Sequence, residues 1–190
     1  VDFVGDCVGL KFLKQIKKDP EKIKECVMKA CGIVVEYNPF HNGHAYQIEQ
    51  VREKWQPDVV IAVMSGNFLQ RGEPALVDKW TRTKMAMASG VDIVVELPTV
   101  FSTQPADFFA EGAIQILGDL GIEGLCFGVE SGLGEEFLAA AETIIKNEEL
   151  INEKMALATN TDLPYAKQME DVLASVFTDF PLHLNSPNNH

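Results

Sequence analysis

The chain is poor in cations: 16 lysines and arginines stand against 28 aspartates and glutamates, a formal net charge of −12 over 190 residues. Non-specific nucleic-acid binding neutralises phosphates with basic side chains, so a domain of this overall sign repels nucleic acid, although a local cluster of cations can still hold a small anion. Long apolar runs are also missing; none approaches the ~20 residues needed to span a membrane. No secretory leader is visible, which makes the cytoplasm the expected compartment. The four cysteines (Cys7, Cys26, Cys31, Cys126) show no CxxC and no Cys/His spacing, which argues against a zinc module or a redox dithiol. Cys31 and Cys126 lie in apolar runs and read as small core residues. With 46% hydrophobic and 23% charged residues, what is left has the composition of an ordinary soluble domain with a real core.

The few cations are unevenly placed. Residues 1–29 hold seven of them, and four of the remaining nine (Arg71, Lys79, Arg82, Lys84) fall in one short segment. "KFLKQIKKDPEKIKE" is lysine-rich with sparse apolar positions, whereas Met28 opens "MKACGIVVEYNPF" like a start. Residues 1–27 therefore read as an N-terminal extension foreign to the natural chain, with a genuine packed helix as the alternative. At the other end "NSPNNH" is turn-like and stops without a closing element, so the chain reads as cut short.

From residue 28 a regular alternation follows. The apolar runs 32–37, 58–64, 92–97 and 124–130 predict four buried strands. Helices are predicted over 43–55, with Ile48, Val51 and Trp55 on one face, near 78–89, and around Phe109, Ala113, Ile116, Leu117 and Leu120. Two later faces, Phe137–Ile145 and Tyr165–Val176, predict further helices, the second started by Pro164. Phe108, Met85 and Met87 read as core. Strands alternating with helices give an α/β fold, a Rossmann-like parallel sheet covered on both faces.

In such sheets ligands sit at the carboxyl ends of the strands. There the first strand runs into His41-Asn42-Gly43-His44, at the entrance to a helix. A helix N-terminus attracts phosphate, Gly43 leaves the backbone open to close approach, and two imidazoles can donate hydrogen bonds where charge builds during attack on phosphorus. Asn38-Pro39 turns the chain out of the strand.

This arrangement resembles the HIGH-type nucleotidyltransferase superfamily. "VVIAVMSGNFLQRGEPALVDKWTRTKMA", "DIVVELP", "LCFG" and "SPNN" narrow the resemblance to the tRNA(Met) cytidine acetate ligase family. The resemblance implies ATP-dependent activation of acetate to acetyl-AMP, with magnesium, then acetylation of N4 of the wobble cytidine of elongator tRNA(Met). It implies one nucleotidyltransferase-like ATP-binding domain over 28–190, shortened before the family's C-terminal region. His41 and His44 become the catalytic pair. The ATP-binding stretch corresponds to Val34, Val35, Glu36, Tyr37, Asn38, Pro39, Phe40, Asn42, Gly43 and Gln47, joined by Gly128, Asn188 and Asn189. No protein-held metal is implied. The alternatives are adenylyl transfer to a phosphorylated metabolite, or a fragment that binds nucleotide without catalysis. The S-S/T-x-x-R/K motif of small adenylyltransferases is not visible.

Arg71, Lys79 and Arg82 are candidate contacts for phosphate or tRNA, against a solvated face paired with Glu73 and Asp78; Lys84 reads as solvated. Glu36 is open between a magnesium or ribose contact and a structural pair, and Glu96 reads as structural. His183 reads as packing and His190 as a gene-end residue. Oligomeric state is not legible.

Overall fold

The computed structural model describes residues 28–128, 134–158 and 165–177. The expectations for residues 1–27, Pro164, His183, Asn188, Asn189 and His190 lie outside them. The chain divides at Gly128 into two compact units.

The first unit is built on four parallel strands. They are β1 (Ala30–Val35), β2 (Val59–Ser65), β3 (Ile93–Leu97) and β4 (Gly124–Cys126), in the order β3-β2-β1-β4. Four helices join them: α1 (Asn42–Gln50), continued by a π-helical turn Val51–Trp55, α2 (Lys79–Ala88), α3 (Thr99–Ser102) and α4 (Ala106–Asp119). Side chains alternate across the sheet, which makes two cores. Cys31, Ile33 and Val35 face Ile48 and Val51 beyond α1's first turn and Ala86 of α2. Ala30, Ile61, Val63 and Leu97 face Ala113 and Leu117 of α4. At Gly32 a Cβ would lie 2.8 Å from Ile122 and Leu117, so α4 packs directly onto β1 only because that position is glycine.

The fold class is as the sequence implies, and several details differ. β1 begins and ends two residues early, because Tyr37 takes a left-handed φ of 52° that a strand cannot continue through. β4 pairs with β1 only from Gly124 to Cys126, opposite Cys31 to Ile33, and leaves the sheet before Phe127; Val129 and Glu130 lie outside the described residues. Phe108, Met85, Met87 and Leu120 are exposed rather than core. On α2 the line that meets the sheet is Arg82–Ala86, which leaves Met85 and Met87 outward. On α4 the line is Phe109–Ala113–Leu117, with Phe108 off it and Leu120 past the helix end.

The second unit contributes α5 (Gly134–Lys146), α6 (Glu148–Ala158) and α7 (Tyr165–Val176). Its core is Ile151, Val172 and Leu173, flanked by Ile144, Met155, Met169 and Val176. The sequence reading missed α6, and Ile145 is exposed although it was expected on the buried face. Among the described residues no helix is long and apolar enough to cross a membrane.

Candidate nucleotide site

The strand order fixes where a ligand can enter. From β1 the chain moves outward through β2 to β3, then crosses back to place β4 on the other side of β1. The connections reverse between β1 and β4, and at such a switch point a crevice opens outside the carboxyl ends. The histidine motif follows β1, and Gly128 follows β4 by two residues. The topology thus brings the two sequence-predicted segments to one crevice.

His41 is the N-cap of α1, in extended backbone conformation. Its Nδ1 accepts the Gly43 N–H at 3.1 Å, and the Nδ1 of His44 accepts the His41 N–H at 3.2 Å. Two helix-end donors are satisfied reciprocally, in the manner of a capping box. The bonds also fix chemistry. A neutral imidazole that accepts at Nδ1 carries its proton at Nε2, so each ring presents an Nε2–H donor. The rings stack with centroids 3.7 Å apart and planes 23° from parallel. Burial, with a smaller contribution from His41, pushes the His44 pKa down to about 4, so His44 is a neutral donor at pH 7.

Gly43 serves these rings. A Cβ there would stand 3.0 Å from Cε1 of His41, so the space expected to admit a nucleotide is filled by the imidazole itself. Behind the pair, Tyr37 lies 4.7 Å from both Phe40 and His44, centroid to centroid. Tyr37 is 1% exposed, its Oη has no hydrogen-bond partner among the described residues, and burial raises its pKa. Val35 is buried and Val34 half-buried in the sheet, Gln47 is half-buried, and Pro39 and Asn42 are exposed.

The remaining candidates organise the loop from Gly66 to Asp78. Glu36 Oε1 accepts the Gln70 N–H at 2.8 Å, and Asn38 Oδ1 accepts the Leu76 N–H at 2.7 Å. Within the loop Phe68 bridges Pro74, and Leu69 and Glu73 are bonded, which leaves Arg71 exposed at the tip. Arg71 forms no hydrogen bond or ion pair among the described residues.

Arg82 requires a correction. Expected to meet phosphate or tRNA, it is completely buried, with its guanidinium on the carbonyls of Val77, Glu36, Ser65 and Gly66. Burial lowers its pKa, opposed by Glu36, Asp78 and Glu96. It ties the ends of β1 and β2 to the loop and has no free face for an anion. The signal was its position one turn before Ala86, on the line of α2 that meets the sheet. Lys79 is paired, with Glu96 at 2.6 Å rather than with Glu73 or Asp78. Asp78 instead caps α2 through the N–H groups of Trp80 and Thr81. Asn188 and Asn189 lie outside the described residues.

Comparison with known proteins agrees with this fold. Residues 28–190 match the family model of the HIGH nucleotidyl transferases. A protein of Listeria welshimeri named tRNA(Met) cytidine acetate ligase is 50% identical over 163 residues, covering 85% of this chain and 42% of its own. Its namesake from Anoxybacillus flavithermus is 51% identical over 162 residues, covering 85% and 40%. Among solved structures, Thermotoga maritima TmcAL bound with alpha-thio ATP superposes at a TM-score of 0.77 with 39% identity, over 85% of this chain and 41% of that one. The chain spans about two fifths of the length of the relatives it matches. It belongs to the HIGH nucleotidyltransferase family, and the relatives it resembles there are tRNA(Met) cytidine acetate ligases.

Proposed function

We propose that this chain is the ATP-binding, acetate-activating part of a tRNA(Met) cytidine acetate ligase, with residues 28–190 as its nucleotidyltransferase-like domain. The observation that carries the reading is the reciprocal cap of His41 and His44. It places two Nε2–H donors, already in the right tautomer, at the switch point of a parallel sheet. The likeness to ligases and to a structure that binds an ATP analogue supports the same reading.

In this account ATP lies in the crevice between β1 and β4, along Val34–Gln47 and against Gly128. A carboxylate oxygen of acetate attacks the α-phosphorus, the bond to the β-phosphate oxygen breaks, and pyrophosphate leaves. His41 and His44 donate to the phosphate oxygens as negative charge grows, a form of preorganised stabilisation that needs no covalent enzyme intermediate. Cytidine N4 then attacks the acetyl carbonyl, N4 loses a proton, and AMP departs. Magnesium would enter with the triphosphate and neutralise its charge. Arg71, at the tip of a loop that Glu36 and Asn38 hold to the motif, is the cation placed to meet the departing pyrophosphate.

The test is product analysis with ATP and a panel of acids and phosphate esters. Acetyl-AMP formed from acetate is the expected product. Adenylylation of a phosphate ester, with none of acetate, would favour the metabolite alternative, and tight ATP binding without any product would favour a non-catalytic module.

A further inference from the structure

We propose that the outer face of α2, formed by Trp80, Lys84 and Met87, is a stacking platform for an unpaired RNA base and its phosphate. This rests on the reading that the chain serves an RNA-acetylating enzyme. Residues 80, 84 and 87 are spaced i, i+4, i+7 and form one stripe along the helix. The opposite side of α2, with Arg82 and Ala86, is buried against the sheet. Trp80 is 68% exposed and Met87 50%, and Leu76, just ahead of the helix, is 74% exposed. A tryptophan so open spreads a large apolar ring in water, and such rings are enriched at contact surfaces.

Charge says what kind of partner fits. Residues 67–84 hold four of the 16 basic residues and two of the 28 acidic ones, in a chain of net charge −12. Arg82 is buried and Lys79 is paired with Glu96, which leaves Arg71 and Lys84 outward. Of those two acids, Asp78 is occupied as the cap of α2. Lys79 Nζ lies 5.4 Å from the centre of the Trp80 ring. Lys84, one turn beyond Trp80, makes no hydrogen bond or ion pair among the described residues. Lys79 is held by Glu96, so among the described residues the free cation beside the aromatic face is Lys84. An open ring with one such lysine suits a nucleobase with its phosphate: the base stacks and the lysine meets the phosphate. A duplex hides its base faces, and the acidic remainder of the chain repels it, so the fitting form is a splayed base from a loop.

Position agrees with charge. α1 and α2 lie on the same face of the sheet, where Ile48, Val51 and Ala86 share one core. Each follows a parallel strand, so the first turn that carries Trp80 starts from the same edge as His41 and His44. The loop leading into α2 is bonded to Glu36 and Asn38, beside the histidine motif. A base seated on Trp80 therefore arrives on the edge where an acyl adenylate would form.

The experiment measures binding of an RNA hairpin with an unpaired loop, and of a fully paired duplex of matched length, to the chain and to its Trp80→Ala, Trp80→Phe and Lys84→Gln variants. Acetate-dependent ATP–pyrophosphate exchange is followed in parallel. Hairpin binding should weaken about tenfold in Trp80→Ala and much less in Trp80→Phe, as loss of one stacked base implies. The salt slope should fall by about one in Lys84→Gln. The duplex should bind poorly throughout, and exchange should match the parent. Unchanged hairpin binding in Trp80→Ala overturns the platform. So does an absence of hairpin binding by the parent, or self-association of the chain that Trp80→Ala abolishes, which would make this face an interface between copies. If exchange is absent from the parent while hairpin binding depends on Trp80, the acetate reading fails and the platform stands.

Discussion

His41 uses one ring for two purposes. Nδ1 caps the helix and Nε2–H is left as a donor, and His44 repeats the arrangement from the first turn. A protonated imidazole has no acceptor, so charging His44 must break its bond to the His41 N–H. Its pKa is about 4 in the fold against 6.5 in an unfolded chain. As pH falls through this interval the unfolded chain binds the proton first. Stability is then fully present above about 6.5 and declines toward 4. Urea unfolding across this range should show that decline in the parent and a flatter profile in His44→Gln; equal slopes would contradict it. Gly43→Ala separates the rings' two uses. The added methyl meets the His41 ring at 3.0 Å, while alanine favours the helix. Stability should stay within about 1 kcal/mol of the parent, and acetate-dependent exchange should fall by about tenfold or more. A fully active Gly43→Ala would remove the ring geometry from the account.

At the scale of elements, the loop from Gly66 to Asp78 is held by side chains, chiefly Arg82, Glu36 and Asn38. Replacing Arg82 with methionine leaves four carbonyls short of a donor in a buried place. The cost should be about 3 kcal/mol or more, a large share of the ~5–15 kcal/mol that holds a domain together. Chemical denaturation measures it, and a change under about 1 kcal/mol would mean water replaces the guanidinium. This element marks the limit of sequence reading. The strands and α1 were legible because apolar runs and i, i+3, i+7 spacing are local signals, and the histidine motif was legible because its order after a strand is local too. What Arg82 does was not, since its acceptors lie up to 46 residues away. The left-handed Tyr37 that ends β1 early was also invisible, because nothing in residue type announces a positive φ there. The extra helix α6 was passed over because Glu148, Glu149, Glu153 and Lys154 interrupt its apolar residues, Leu150, Ile151, Met155 and Leu157.

The whole molecule joins an acidic surface to a crevice that suits a polyanion. In the proposed account the two are compatible because the nucleotide is met by neutral donors, His44 among them, and by Arg71 at the loop tip. The chain spans about two fifths of its relatives, so acetate activation and RNA modification are separate proposals, and the first is the one proposed for the crevice described. The most direct test is ATP–pyrophosphate exchange, with and without acetate, by the chain and by His41→Asn. Asparagine is a good N-cap, so the variant keeps the helix start and loses only the Nε2–H donor. The account predicts acetate-dependent exchange by the parent and a loss of about 10²-fold in the variant, with thermal stability nearly unchanged. Exchange in His41→Asn equal to the parent's would contradict the central claim that the capped histidines stabilise the transferring phosphate.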